Sequence, residues 1–128
     1  MTETILVTGA SKGIGAATAR RLAKDGFDII VHYHSDRIGA QAVCDDIIAL
    51  GRSARLIQFD IADRETTRTA IETDIAENGA PYGVILNAGL TRDGPFPALE
   101  DDDWDRVLHT NLDGFYNVIK PLIMPMIQ

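Results

Sequence analysis

A glycine-rich turn near the start of the chain carries the first pattern that could do chemistry. It reads Thr8-Gly9-Ala10-Ser11-Lys12-Gly13-Ile14-Gly15, so its glycines follow the spacing G-x-x-x-G-x-G. Glycines allow a tight turn and a close backbone approach, and a following helix presents unpaired N–H groups and its positive dipole end to an anion. The pattern predicts a pyrophosphate site, formed by Gly9, Ser11, Lys12, Gly13, Ile14 and Gly15.

Two other interpretations apply to this turn. A P-loop needs a Lys and a Ser or Thr directly after its last glycine, whereas Lys12 precedes Gly13, so a P-loop is excluded. An ordinary glycine-rich turn between a strand and a helix stays open on the glycine spacing alone.

The end of a second apolar run, residues 27–33, indicates which dinucleotide would bind. A carboxylate at this point would bind the ribose 2′-hydroxyl and repel a 2′-phosphate. The sequence places His34 and Ser35 there, with no carboxylate before Asp36, and Lys12 could neutralise a phosphate. We therefore expect NADP(H), with His34 and Ser35 beside it. The alternative is that Lys12 is only a solvated turn residue.

Polar residues also follow the next two apolar runs. Asp60-Ile61 comes after residues 55–59, and Asn87-Ala88-Gly89 ends the run that begins at residue 82. Ligands of open α/β sheets bind at the carboxyl ends of the strands, which makes both segments candidates for cofactor binding. Each is a weak signal alone, because Asp60 could cap the next turn and Asn87 could satisfy loop backbone.

The elements that must position these residues alternate in type. Apolar runs at residues 5–8, 27–33, 55–59 and 82–87 predict strands, and residues 16–24, 39–50, 63–78 and 101 onward predict helices. Such alternation indicates right-handed βαβ units, and near-continuous apolar strands indicate a parallel sheet covered on both faces. The predicted fold class is α/β, a Rossmann-type doubly wound parallel sheet, with residues 1–128 as one NADP-binding domain.

The last predicted helix has one apolar face with a single polar residue, Asn111. The face comprises Trp104, Val107, Leu108, Asn111, Phe115, Val118 and Leu122. Past Phe115 the opposite side also becomes apolar, so we expect a homo-oligomer that pairs through the helix around residues 101–127. Pro121 and Pro125 should bend or loosen this helix.

Composition excludes several classes of protein. The 128 residues include 12 Lys and Arg and 19 Asp and Glu, which gives a formal charge of −7. This charge argues against electrostatic binding to nucleic acid or an anionic membrane over a broad surface. One cysteine, Cys44, excludes an internal disulfide and a metal site built on several thiolates, and no metal site is predicted. No secretion signal or spanning segment is recognisable, so we expect a cytoplasmic protein.

The glycine turn, Asp60, Asn87-Ala88-Gly89 and Asn111 in Asn111-Leu112-Asp113-Gly114 together resemble the short-chain dehydrogenase/reductase family, in the order and spacing of that family. The segment Asn87-Ala88-Gly89-Leu90-Thr91-Arg92-Asp93 resembles the branch that contains 3-oxoacyl-[acyl-carrier-protein] reductases and acetoacetyl-coenzyme A reductases. The resemblance implies the reduction of a β-ketoacyl thioester, carried by a carrier protein or coenzyme A, with NADPH.

The resemblance also implies roles for individual residues. The glycine turn would hold the pyrophosphate and the 2′-phosphate side, and Asp60-Ile61 would contact adenine. Asn87, Ala88 and Gly89 would line the cofactor, and Asn111 would be a catalytic residue that holds a water in the proton relay. An acetoacetyl-coenzyme A reductase and a non-catalytic dinucleotide-binding fragment remain alternatives.

The catalytic Ser and Tyr-x-x-x-Lys pair of the family lie downstream of this Asn, after a further strand. Residues 1–128 contain no such segment, so we expect the amino-terminal part of a larger single-domain reductase, ending after the fourth strand and its helix and inactive alone. Tyr116 and Lys120 match the spacing. At about 100° per residue they point roughly 140° and 180° away from Asn111, which predicts an exposed or subunit-facing pair.

A response-regulator-like signalling domain would share the α/β alternation. It would require clustered acidic residues at the strand ends to bind Mg²⁺, and Asp60 has no acidic pair at the first strand.

Overall fold

A computed structural model of the chain describes residues 2–88 and 100–127, without the side chains at positions 103, 104 and 110. Within these residues, strands alternate with helices as the sequence predicts. The elements are β1 (Thr4–Val7), α1 (Gly13–Lys24), β2 (Asp28–Tyr33), α2 (Arg37–Ala49), β3 (Ala54–Gln58), α3 (Arg64–Asn78), β4 (Gly83–Ile85) and α4 (Asp101–Ile127).

The strands form a parallel sheet in the order β3-β2-β1-β4. Residue Leu6 of β1 lies opposite Ile30 of β2 on one side and Val84 of β4 on the other. Because β2 and β3 extend to one side of β1 while β4 lies on the other, the strand order reverses beside β1. This reversal leaves a crevice at the carboxyl ends of β1 and β4, where doubly wound sheets bind ligands.

Both faces of the sheet are covered, because successive side chains of a strand point to opposite sides. Ile5 and Val7 of β1 belong to a buried cluster with residues of α1 and α2. Leu6, between them, belongs to a second cluster that includes Ile71 of α3 and Leu122 of α4. The doubly wound α/β class is therefore confirmed.

Helices α2 and α3 begin at aspartate caps. The carboxylate of Asp36 accepts the Gly39 N–H at 3.0 Å, and that of Asp63 accepts the Thr66 N–H at 3.1 Å. Hydrogen bonds from Thr66 lower the pKa of Asp63, which lies at the predicted start of this helix.

The apolar face predicted for α4 should pack against the rest of the fold, but it is only partly buried, and its polar residue Asn111 is exposed. Leu108 and Phe115 of the predicted buried face are also exposed, with Phe115 at 58%, while Val118 and Leu122 are buried as predicted. Among the residues of α4 whose side chains are described, the first buried one is Gly114, whose backbone lies against the side chain of Ile61. The predicted position Trp104 has a side chain outside the described residues.

Asn117 is a buried polar residue of α4. Its Nδ2 donates to the carbonyl of Ile61 at 2.8 Å, and its Oδ1 accepts from Nε of Arg64 at 3.0 Å. These two bonds satisfy the amide, so it can be buried. Asn117, and not Phe115, therefore belongs to the packed face of α4. Helix α4 continues through Pro121 and Pro125 to Ile127.

Across residues 2–88 and 100–127, none of the helices has both the length and the apolar character needed to cross a membrane.

Candidate functional site

An open cavity of about 320 Å³ lies among the turn after β1, the end of β2 and the segment after β4. Its lining includes seven of the predicted cofactor-binding residues, namely Gly9, Ser11, Lys12, His34, Ser35, Asn87 and Ala88. The other lining residues are His32, Tyr33 and Asp36. The predicted residue Gly89 lies outside the described residues. The fold therefore gathers residues from three separate segments at the reversal of the strand order.

The glycine turn is packed too closely for larger residues at two of its positions. Gly9 has φ +63°, and a Cβ there would lie 2.9 Å from Cα of Ala88. A Cβ on Gly15 would overlap the carbonyl oxygen of Gly9 and lie 2.6 Å from Nδ2 of Asn87. These two glycines let helix α1 and the segment after β4 approach the turn.

Thr8 and Asn87 hold the turn against the segment after β4. The buried hydroxyl oxygen of Thr8 accepts the N–H groups of Asn87 and Ala88 at 2.9 and 3.0 Å. The side-chain amide of Asn87 donates to the carbonyl of Gly9 at 3.1 Å. Asn87 therefore supports the turn, as well as lining the cavity. No role for Thr8 was predicted from the sequence, although a hydroxyl directly before the first glycine was an available signal.

His32 is the second residue that the sequence analysis missed. Its Nδ1 accepts the Gly9 N–H at 2.9 Å, and its Nε2 lies 2.8 Å from the carbonyl of Phe59. An acceptor at Nδ1 requires the neutral ring with its proton on Nε2, which then donates to Phe59. Burial lowers the pKa of His32 from 6.5 to about 4, against a smaller rise from the Phe59 bond. The available signal was a histidine directly after the apolar residues Ile29, Ile30 and Val31 of β2.

Helix α1 begins without a side-chain cap, unlike α2 and α3. Its N-cap residue is Lys12, which makes no capping hydrogen bond, and its first turn contains no acidic residue. The first N–H groups of a helix have no intrahelical partners, so those of Gly13, Ile14 and Gly15 are available to a ligand. With the exposed Lys12 side chain beside them, they form a positive helix end suited to a phosphate.

Among the described residues that line this cavity, Asp36 carries the only carboxylate. One of its oxygens accepts the Gly39 N–H, so the carboxylate is folded back onto the positive end of α2. The two residues before it, His34 and Ser35, are exposed at the cavity.

Asp60 lies beside the cavity rather than in its lining. Its Oδ1 accepts the Ala62 N–H at 2.9 Å, which is the turn-capping role weighed for it from sequence. Its Oδ2 lies 3.7 Å from Nε2 of His34, which does line the cavity. Ile61 is not part of this lining, and its side chain packs against Gly114 of α4.

The remaining predicted positions lie on α4. Asn111 is exposed, one helical turn before Gly114. Tyr116 is 49% exposed and lies under the guanidinium of Arg64, with 5.1 Å from Cζ to the ring centroid, and Lys120 is also exposed. Neither Tyr116 nor Lys120 lines the cavity, which agrees with the predicted exposed pair.

Comparison with known proteins places this chain in a family. The sequence model for short chain dehydrogenase matches residues 3–128. A 3-oxoacyl-[acyl-carrier-protein] reductase FabG from Aggregatibacter actinomycetemcomitans is 57% identical over the whole chain, and one from Staphylococcus aureus (strain Mu50) is 35% identical. The chain spans 53% and 52% of the length of these two relatives.

Solved structures show the same relationship. Acetoin dehydrogenase from Enterobacter cloacae superposes with a TM-score of 0.85 at 36% identity, over 99% of this chain and 50% of that one. A blue fluorescent protein from a metagenomic library, in complex with NADPH, superposes with a TM-score of 0.83 at 37% identity, over 97% and 51%. By its sequence match and its fold, the chain belongs to the short-chain dehydrogenase family.

Proposed function

We propose that this chain is the dinucleotide-binding part of an NADPH-dependent reductase that converts a 3-oxoacyl thioester on a carrier protein to the 3-hydroxyacyl form. The observation that carries the proposal is the uncapped start of α1, whose N-cap residue Lys12 lines the cavity beside β1. The choice of substrate rests on the 57% identical relative, which is named as such a reductase.

The residues present fit NADPH. The free N–H groups at residues 13–15 suit the pyrophosphate, and Lys12 with His34 and Ser35 suits the 2′-phosphate, because Asp36 is held by α2. Asp60 adjoins this side and would serve the adenine, and Ala88 would support the cofactor from the segment after β4. Bound NADPH supplies the hydride; the chain's own residues bind and orient it.

Replacing Lys12 by alanine should weaken NADPH binding and leave NADH binding within a few-fold. Loss of a charge-assisted contact to the 2′-phosphate costs about 1.5–3 kcal/mol, or roughly 10- to 150-fold in affinity. Titration of both nucleotides against the complete protein that carries this chain measures the difference. Lys24→Ala, at the far end of α1, is the matched control and should change neither affinity. Equal or tighter NADH binding by the unmodified protein would contradict the assignment.

Turnover of two acetoacetyl thioesters distinguishes the proposed reaction from its alternatives. NADPH consumption by the complete protein should be fastest with acetoacetyl-carrier protein. Faster turnover of acetoacetyl-coenzyme A would favour the acetoacetyl-coenzyme A reductase alternative. Tight NADPH binding without turnover of either thioester would favour the non-catalytic dinucleotide-binding alternative.

In the same assay, Asn111→Ala should lower turnover by about tenfold or more, since an ordered relay water would be lost. Tyr116→Phe should stay within a few-fold, because Tyr116 points roughly 140° away from Asn111 around α4 and its ring lies under Arg64. Thermal unfolding and NADPH affinity are measured beside the rate. If Tyr116→Phe abolished turnover in a folded, NADPH-binding protein while Asn111→Ala spared it, the role proposed for Asn111 would be wrong.

The proposal extends to self-association in the cytoplasm. Helix α4 exposes large apolar side chains along much of its length, which suit a second copy of the protein. They are Leu108, Leu112, Phe115, Tyr116, Ile123, Met124 and Ile127.

A further inference from the structure

His32 accepts hydrogen bonds from two consecutive N–H groups of the glycine turn, those of Gly9 and Ala10. Its ring nitrogen Nδ1 accepts the Gly9 N–H at 2.9 Å, and its backbone carbonyl accepts the Ala10 N–H, also at 2.9 Å. These two N–H groups are therefore not available to a ligand. Any phosphate must use the N–H groups further along, so the contacts with His32 determine which part of the turn faces the cavity.

The hydrogen bond from the Gly9 N–H to Nδ1 also favours one backbone conformation of the turn. Gly9 adopts φ +63°, one of several regions open to glycine, so a glycine alone does not specify this conformation. The acceptor at Nδ1 fixes the direction of the Gly9 N–H. The carbonyl of Gly9 lies in the next peptide group and accepts from Asn87, so the ring holds the peptide group directly before the one that α1 and the segment after β4 approach.

The opposite edge of the ring reaches β3. Nε2 donates to the carbonyl of Phe59 at 2.8 Å, and the two rings pack with centroids 4.0 Å apart. Phe59 directly precedes Asp60, the residue on the proposed adenine side. Because the ring is 1% exposed, its bonds do not compete with water. The imidazole of His32 thus joins the glycine turn to the end of β3.

We propose that His32 is a positioning residue of the dinucleotide site, which holds the glycine turn in its phosphate-binding conformation through Nδ1 and fixes its distance from the adenine side through Nε2. This inference rests on the proposed nucleotide function and deepens it. A structural role alone would require only that the buried ring be packed and hydrogen bonded. A positioning role requires in addition that nucleotide affinity follow the acceptor offered to the Gly9 N–H.

Three variants in the complete protein separate these roles. In His32→Asn, Oδ1 lies close to the position of Nδ1 and can accept the Gly9 N–H. In His32→Gln, the amide lies closer to the position of Nε2 and can reach Phe59 instead, and His32→Leu does neither. We expect the dissociation constant for NADPH to rise about threefold or less in the Asn variant and about tenfold or more in the Gln and Leu variants.

Amide hydrogen exchange at Gly9, measured by NMR without nucleotide, gives a readout that does not depend on the proposed function. Exchange should be slow in the unmodified protein and in the Asn variant, and at least about tenfold faster in the Gln and Leu variants. Asp74→Ala, which removes the partner of Arg55 on α3, is a destabilised control remote from the cavity and should leave NADPH affinity unchanged.

The outcomes are distinguishable. If the unmodified protein bound no NADPH while Gly9 exchange followed the expected order, the proposed function would fail and the control of the turn by His32 would stand. If NADPH affinity followed thermal stability across all four variants, with no relation to Gly9 exchange, His32 would be a structural residue and the inference would be overturned. Slow Gly9 exchange in the Leu variant would overturn it as well.

Discussion

Replacing Gly15 by alanine should disrupt the glycine turn. The new methyl group would overlap the carbonyl oxygen of Gly9 and lie 2.6 Å from Nδ2 of Asn87, so α1 or the segment after β4 must move. Overpacking of this kind costs about 1–3 kcal/mol, and more where the obstacle is backbone. We expect a loss of about 3 kcal/mol or more in the free energy of unfolding and no measurable NADPH binding. Chemical denaturation and nucleotide titration measure the two effects.

Gly13 supplies the matched control on the same turn. A Cβ there would meet nothing within 4 Å, so Gly13→Ala suffers only from its φ of +61°. That backbone strain costs about 1–2 kcal/mol, and the variant should stay folded and keep measurable NADPH binding. A Gly15→Ala protein with unchanged stability and affinity would show that α1 and the turn do not approach as closely as described.

The order of the elements and most of the site could be predicted from sequence because both depend on local chemistry. The glycine spacing indicates that the backbone at Gly9 and Gly15 has no room for a side chain, and the position of Asp63 indicates where α3 begins. Once four strands are placed in a parallel sheet, Lys12, His34 and Asn87 must gather at one edge, since they follow different strands in that sheet. No long-range contact had to be known for these predictions.

The failures arise where a residue's environment depends on a distant segment. Periodicity placed Asn111 on the apolar face of α4, but whether that face is covered depends on what packs against it, and among the residues of α4 whose side chains are described Gly114 is the first that is buried. Asn117 was overlooked because its partners, Ile61 and Arg64, are more than fifty residues away along the chain. His32 was overlooked for the same reason, since its ring joins two other segments of the site.

The neutral state of His32 predicts a loss of stability in mild acid. The pKa of this residue is about 4 in the folded protein, below its ordinary value of 6.5, so between these values the unfolded chain binds the extra proton. Stability is therefore highest above pH 6.5 and falls as the pH drops towards 4. At about 1.4 kcal/mol per pH unit, the total loss is about 3 kcal/mol. Urea denaturation at intervals from pH 8 to pH 4 measures it.

Variants assign this loss to one ring. His32→Asn has no proton to bind in this range, so its stability should be lower than that of the unmodified protein at pH 7.5 and nearly flat from pH 7 to pH 5. His109→Gln removes an exposed histidine, paired with Asp113 on α4, and should keep the full slope. Carboxylates with lowered pKa values, such as Asp63, lose their contribution below their ordinary pKa of 3.8, so they act at lower pH than His32. A slope that persisted unchanged in His32→Asn would show that another group binds the proton, and that the ring is not held neutral between Gly9 and Phe59.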